Sequence, residues 1–184
     1  ISRLSGEKKW ELYNMGILKF EDIPADFKLN DSQWQQVIAE LKGETHIDRA
    51  VIKRFLESLV YPLYFLDFES FQPAIPLFDH SRSYQQVVFQ YSLHWLESET
   101  SELKHTAFLA ENDGSDPRPP FIKQLIADIG TTGDILVFNR SFEAGRLNEI
   151  ATNFPNFQFP ISNIVSRIKD LMVLFQQRHY YVPE

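Results

Sequence analysis

The stretch "YPLYFLDFESF" (residues 61–71) sets two carboxylates, Asp67 and Glu69, inside the most apolar run of the chain. Its β-branched and aromatic content predicts a strand. On a strand, residues two apart point the same way, so Asp67 and Glu69 share a face while Leu66 and Phe68 turn to the other. Two carboxylates about 7 Å apart repel each other unless a proton or cation stands between them. Hard divalent cations such as Mg²⁺ take oxygen ligands and would relieve that repulsion. The other reading is an edge strand whose polar face is simply wet.

A second constellation is "ILVFNRSFEAGRL" (residues 135–147). A short apolar strand ends, and Asn139 or Ser141 caps a helix that holds Glu143 on its first turn. In α/β sheets functional groups gather at strand ends, so Glu143 can face the site of Asp67 and Glu69 if the two strands are neighbours. Complementing the positive end of the helix dipole is the competing role for Glu143.

These residues need a scaffold, and the rest of the sequence predicts one. Residues 1–58 read as a helical N-terminal segment or linker: Trp10, Tyr13 and Ile17 are spaced for one helix, "NDSQWQQVIAELKG" for a second, and Ile47, Val51, Phe55 and Leu59 for a third. Composition changes at Val60–Pro62, and residues 59–184 read as a separate domain. After the Asp67 strand, "QQVVFQYSLHWLE" is strand-like, with Val87, Phe89, Tyr91, Leu93 and Trp95 on one face and Gln90, Ser92 and His94 on the other. "ELKHTAFLA" is a third strand, and short connections make the three an antiparallel meander. "PPFIKQLIADIG" is a helix, "DILVFN" a strand, "RSFEAGRLNEIATNF" a helix, and "ISNIVSRIKDLMVLFQQRHYY" one or two helices. The fold class is therefore α/β, a mixed sheet with helices on its faces.

Totals narrow the function. The 184 residues include 16 Phe and are 43% hydrophobic, enough for a packed core. A net charge of −7 argues against a protein that coats nucleic acid by charge alone, though not against a nuclease whose cations supply positive charge locally. With no cysteine, disulfides and Cys-based zinc sites are excluded, and His94, His105 and His179 lack a zinc-site spacing. No apolar run approaches the roughly 20 residues of a membrane span and no signal peptide is visible, so a cytoplasmic location without a membrane partner is expected. No phosphate-binding Gly loop, dinucleotide fingerprint or nucleophile elbow is present. The chain opens at Ile1 and stops at "YYVPE", which reads as a piece of a longer protein.

Together, "FLDFES" and "NRSFEAGRL" resemble two motifs of the DEDD-type 3′–5′ exonucleases in the ribonuclease H-like superfamily. The first is an apolar strand carrying Asp-x-Glu followed by Thr or Ser; the second, Asn-x-x-Phe-Asp-x-x-x-Leu, is met at Asn139, Phe142 and Leu147. More closely, "YPLYFLDFE", "FQYSLH", "NRSFE" and "RIKDL" resemble a bacterial family called domain of unknown function 2779, over about residues 59–183. The exonuclease resemblance implies a ribonuclease H-like fold and phosphodiester hydrolysis at single-stranded nucleic-acid ends with two divalent cations, Mg²⁺ or Mn²⁺. Asp67 would bridge both ions, Glu69 would hold the one that activates water, and Glu143 the other. Asp170 in "RIKDL" would support the site.

Two departures stand beside the resemblance. Glu143 occupies a position that is usually Asp, and the third motif, a Tyr or His followed by Asp on a late helix, is not found. His179, Tyr180 and Glu184 in "HYYVPE" come too soon after Glu143 to replace it, so the last acid is expected beyond the chain's end; separately, a nuclease or repair domain is expected upstream in the full-length chain. Substrate contacts are expected from Phe71, which can stack on a terminal base, and from Gln90, His94 and Asn139; Phe68 and Phe142 are expected in the core. Arg140 and Arg146 are candidate phosphate contacts or solvated helix residues. The alternative function is a catalytically degenerate ribonuclease H-like module that binds nucleic acid or a protein.

Overall fold

A computed structural model describes residues 1–183. Along the chain the elements are α1 (Gly6–Asn14), α2 (Asp31–Lys42), β1 (His46–Ile47), α3 (Arg49–Glu57), β2 (Leu63–Phe71), β3 (Val87–Leu96), β4 (Lys104–Leu109), α4 (Arg118–Asp128), β5 (Ile135–Val137), α5 (Arg140–Asn153), α6 (Gln158–Arg167), β6 (Ile168–Asp170), α7 (Met172–Gln176) and β7 (Tyr180–Tyr181). They form two compact units, one of residues 1–57 with 173–183, the other of residues 58–172. Among the described residues no helix is long and apolar enough to cross a membrane.

The first unit is capped where its sequence says it should be. Ser5 caps α1, and Asn30 with Gln33 forms a reciprocal capping box on α2, which ends at Gly43 in the left-handed region (φ 65°). Its small core is Leu4, Leu12 and Phe27. The helical stripes differ from expectation. Leu12 is the residue of α1 that is buried, while Trp10 and Tyr13 are 65% and 60% exposed and Ile17 lies past the helix. Ile47 belongs to β1, which pairs antiparallel with β7.

The second unit holds a mixed five-stranded sheet in the order β4-β3-β2-β5-β6. As the spacing predicts, β2, β3 and β4 form an antiparallel meander; β5 and β6 then run parallel to β2. The strand β6 is a correction: "RIKD" lies in a run expected to be helical throughout, and α6 instead ends at Arg167, with Ile168–Asp170 pairing on β5. A three-residue strand is too short to display a period, but it buries Ile168 beside Ile135.

The helices α4, α5 and α6 pack on one face of this sheet. Tyr64, Leu66, Phe68, Tyr91 and Leu93 meet Phe121, Leu125, Leu147, Ile150 and Ile164 there. Phe68 is in this core as expected, and Phe142 packs against it. A bulge shifts the β2–β3 register between Glu69 and Ser70. It corrects the expected face of β3: past the bulge Val88 enters the core in place of Val87 and Phe89, while Tyr91, Leu93 and Trp95 keep their side.

The edge that seats β5 is tightly specified. Val60 and Asp134 exchange backbone and side-chain hydrogen bonds (Asp134 N to Val60 O, 2.8 Å; Val60 N to Asp134 Oδ2, 3.0 Å). Gly133 sits at φ 81°, and a Cβ there would come within 1.9 Å of the Pro62 carbonyl oxygen. Arg167 gathers the carbonyls of Gly130, Thr132 and Gly133. This knot places β5 beside β2, and so decides where α5 begins.

Candidate functional site

The strand β2 is central, and its two faces differ sharply. Leu66 and Phe68 are 4% exposed, whereas Asp67 and Glu69 are exposed. The face opposite the core of Leu66 and Phe68 answers why charges interrupt so apolar a run. Asp67 is in register with Ser92, and Glu69 with Gln90 and, one strand further, Leu109. Cross-strand partners share a face, so Asp67, Glu69, Gln90 and Ser92 form one open polar surface.

On that surface His94 of β3 lies directly opposite His105 of β4, with ring centroids 4.1 Å apart and the Ser92 hydroxyl 3.1 Å from His105 Nε2. Eleven positions separate the two histidines in sequence, so spacing alone conceals a meeting that only the hairpin register creates.

Glu143 is in a different environment. It lies on the first turn of α5 and is 3% exposed, and its Oε2 is buried without a hydrogen-bond partner. Burial pushes its carboxyl from the ordinary 4.5 up to about 7; a hydrogen bond from its own backbone amide opposes this, and the charges of Asp67 and Asp170 add to it. Asp170 ends β6 level with Val137, and its Oδ1 accepts from the Met172 amide (2.9 Å). The parallel register of β2, β5 and β6 thus brings Asp67 and Asp170 within electrostatic reach of Glu143 near the C-terminal end of β5. Glu69, further along β2, is not among the charges that act on Glu143.

The carboxylates are gathered but not closed. Among the described residues no three His, Asp or Glu side chains stand together as a cation cage. Glu143 Oε2 nevertheless lacks a hydrogen-bond partner, and the two charges that act on it, Asp67 and Asp170, are carboxylates, a ligand type that suits a hard divalent cation.

The remaining expected contacts divide. Asn139 occupies the N-cap position of α5 without capping a backbone amide; its Oδ1 accepts from the Ser141 hydroxyl (2.5 Å). Phe71 is half-buried, its ring 6.4 Å from Phe78 and 6.0 Å from Phe89. Arg146 donates to Gln86 and to Glu149 (3.1 Å) and lies over the Phe142 ring, so it is engaged within the protein; Arg140 is exposed. His179 lies in the other unit, paired with Asp48 (3.4 Å), and Glu184 lies outside the described residues.

The sequence from Tyr64 onward decides the family. The chain belongs to the family described as Domain of unknown function (DUF2779), which matches residues 64–184. The match takes in Asp67, Glu69, Glu143 and Asp170, so the whole carboxylate group lies within the DUF2779 domain. No curated protein and no solved structure gives a significant match.

Proposed function

We propose that the sheet domain is a metal-dependent nuclease of ribonuclease H-like type that hydrolyses phosphodiester bonds at single-stranded nucleic-acid ends in the 3′–5′ direction. The observation that carries this reading is Glu143: a buried carboxylate with one oxygen unpartnered and two further carboxylates acting on it. Such a group is stable only with a proton or a cation, and at neutral pH the two compete. The antiparallel meander followed by helix, strand and helix supports the same reading, since it is the order the exonuclease resemblance implies.

Asp67, Glu143 and Asp170 would hold the cations from three different elements, with Glu69 reaching in from the open face. Bound there, two divalent ions would lower the pKa of an attacking water and neutralise the leaving oxygen. Asp67 and Glu69 leave their face exposed, which admits a phosphodiester; Leu66 and Phe68 anchor the strand beneath them and fix their direction. Mn²⁺ titration followed by thermal melting tests the reading. A metal-linked rise in Tm that disappears in Asp67→Asn is expected, together with Mn²⁺-dependent shortening of a single-stranded oligonucleotide. No shift at millimolar Mn²⁺ would sink it.

The absence of a closed three-ligand cage among the described residues favours a second reading, a degenerate module that binds nucleic acid or protein without cleaving. A Mn²⁺-linked shift with no cleavage distinguishes it.

A further inference from the structure

The β3–β4 hairpin makes neighbours of two histidines that the sequence keeps apart. His94 and His105 are directly opposed in register, with ring centroids 4.1 Å apart and planes tilted by 31°. Phe65, His94 and His105 form one cross-strand row, and Asp67, Ser92 and Ala107 form the next. The histidines therefore share the face of Asp67 and Glu69. His105 is exposed and His94 half-buried, so solvent reaches the pair.

Opposed residues of an antiparallel pair hold their Cβ atoms about 4.5–5.5 Å apart, a span across which two imidazoles can reach one cation. The Ser92 hydroxyl lies 3.1 Å from His105 Nε2. Metal-binding histidines commonly direct their other ring nitrogen to such a group, which fixes the tautomer and the ring's orientation. With Nε2–H donating to Ser92, the lone pair of His105 sits on Nδ1, the nitrogen left for a cation. Bringing a His94 nitrogen onto the same ion takes rotation of that ring about χ2, a broad torsion for histidine, while the β3–β4 ladder stays as it is.

We infer that His94 and His105 form a two-histidine site for a borderline divalent cation of the Zn²⁺ and Cu²⁺ class, bound across β3 and β4. Ligand chemistry separates it from the carboxylates: imidazole selects Zn²⁺, Cu²⁺ and Ni²⁺, whereas carboxylates suit Mg²⁺ and Mn²⁺. The site goes beyond the nuclease reading and does not depend on it. Among the described residues no third His, Asp or Glu side chain joins the pair, so water takes the remaining positions. That makes the site open and exchangeable, unlike the closed four-ligand kind that holds a structural zinc. Its position gives the cation two effects. The strand β4 is the edge of the five-stranded sheet, with backbone groups unpaired on its outer side, and an ion shared by His94 and His105 staples that edge to β3. The ion also adds positive charge one row from Asp67.

The test uses the full chain in millimolar Mg²⁺, which competes for carboxylates and leaves imidazoles free. Cu²⁺ is the spectroscopic probe, because nitrogen ligands split its electron paramagnetic resonance lines and oxygen ligands do not. One equivalent of Cu²⁺ is expected to show splitting from two nitrogens, and His94→Gln and His105→Gln are each expected to remove it. Zn²⁺ affinity, read by calorimetry, should be lost in the same two variants and fall about tenfold in Ser92→Ala, the cost of removing the group that orients a metal-bound imidazole. Melting each variant in metal-free buffer checks its fold. Splitting that survives in both histidine variants assigns the copper to His46, His80, His179 or the amino terminus and overturns the inference. So does Zn²⁺ binding that never saturates at one equivalent, the mark of adventitious surface binding, or Zn²⁺ affinity unchanged in both variants, which returns the ion to the carboxylates. The nuclease reading is judged separately by the Mn²⁺-linked rise in Tm and its loss in Asp67→Asn, so either result can fail while the other stands.

Discussion

Replacing Glu143 by Gln separates what burial does to this carboxyl from everything else in the fold. A rise from 4.5 to about 7 means that the folded chain binds the Glu143 proton more tightly than the unfolded chain does. At about 1.4 kcal/mol per pH unit, the charged form carries a penalty on the order of 3 kcal/mol. The sign follows from proton binding. Below about pH 4.5 both states are protonated and there is no penalty. As pH rises from 4.5 to 7 the unfolded state ionises first and stability falls; above 7 the loss is complete. Gln is nearly isosteric and cannot ionise, so the stability gap between Glu143→Gln and wild type should grow in the variant's favour by about 2–3 kcal/mol from pH 5 to pH 8. For a chain of this size that is about 5–10 °C in Tm. Any fixed cost of burying the amide is the same at both pH values and cancels. Melting both proteins across this range without divalent metal is the assay. A gap that stays flat with pH would refute the burial of an unpartnered acid at this position.

The same coupling predicts that Asp67→Asn, by removing a neighbouring negative charge, lowers the Glu143 pKa; carboxyl-carbon NMR titration reads the direction. Gly133→Ala should destabilise the sheet domain by roughly 2 kcal/mol or more, because the new Cβ meets the Pro62 carbonyl and φ is positive; urea unfolding measures it. Tyr91→Phe removes the hydroxyl that donates to Asp128 Oδ2 at 2.5 Å and should cost about 1–2 kcal/mol in the same experiment. The tyrosine hydroxyl is itself held above its ordinary pKa by burial and then by Asp128, so Tyr91 should ionise at higher pH than a free tyrosine, and the difference in phenolate absorbance between wild type and Tyr91→Phe across an alkaline titration reads it.

What could be read from residues alone was local. Leu63–Phe71 announces a strand because aromatic and branched residues fill it, and alternation correctly puts Asp67 and Glu69 on one side of it. The meander is read from three strong strands in succession, although residues 72–86 make the β2–β3 connection a long one. Three things were hidden because each depends on a distant partner. The bulge after Glu69 moves Val88 into the core and Phe89 toward Phe71, which no periodicity foretells. The meeting of His94 with His105 exists only through the β3–β4 register. The strand Ile168–Asp170 is three residues long and acquires its identity from β5. Trp10 and Tyr13 show the opposite failure: helical spacing suggested an apolar face, and the face stays open.

Glu143 had two roles open to it from sequence, a helix-dipole partner or a metal ligand, and magnitudes now weigh one against the other. A carboxylate placed to complement a helix N-terminus gains about 0.3–1 kcal/mol as the anion, and its pKa falls. The hydrogen bond from Glu143's own backbone amide does pull in that direction. Burial and the charges of Asp67 and Asp170 outweigh it and drive the carboxyl up to about 7. A residue serving only the helix would be better off exposed, where the dipole's help comes without desolvation. Here the chain instead buries the group, leaves Oε2 unpartnered and aligns β5 and β6 so that two more acids act on it. Dipole complementation therefore accounts for the smaller and opposite part of its energetics. The larger part is the cost of ionising a buried group beside two other acids, which a proton removes below neutral pH.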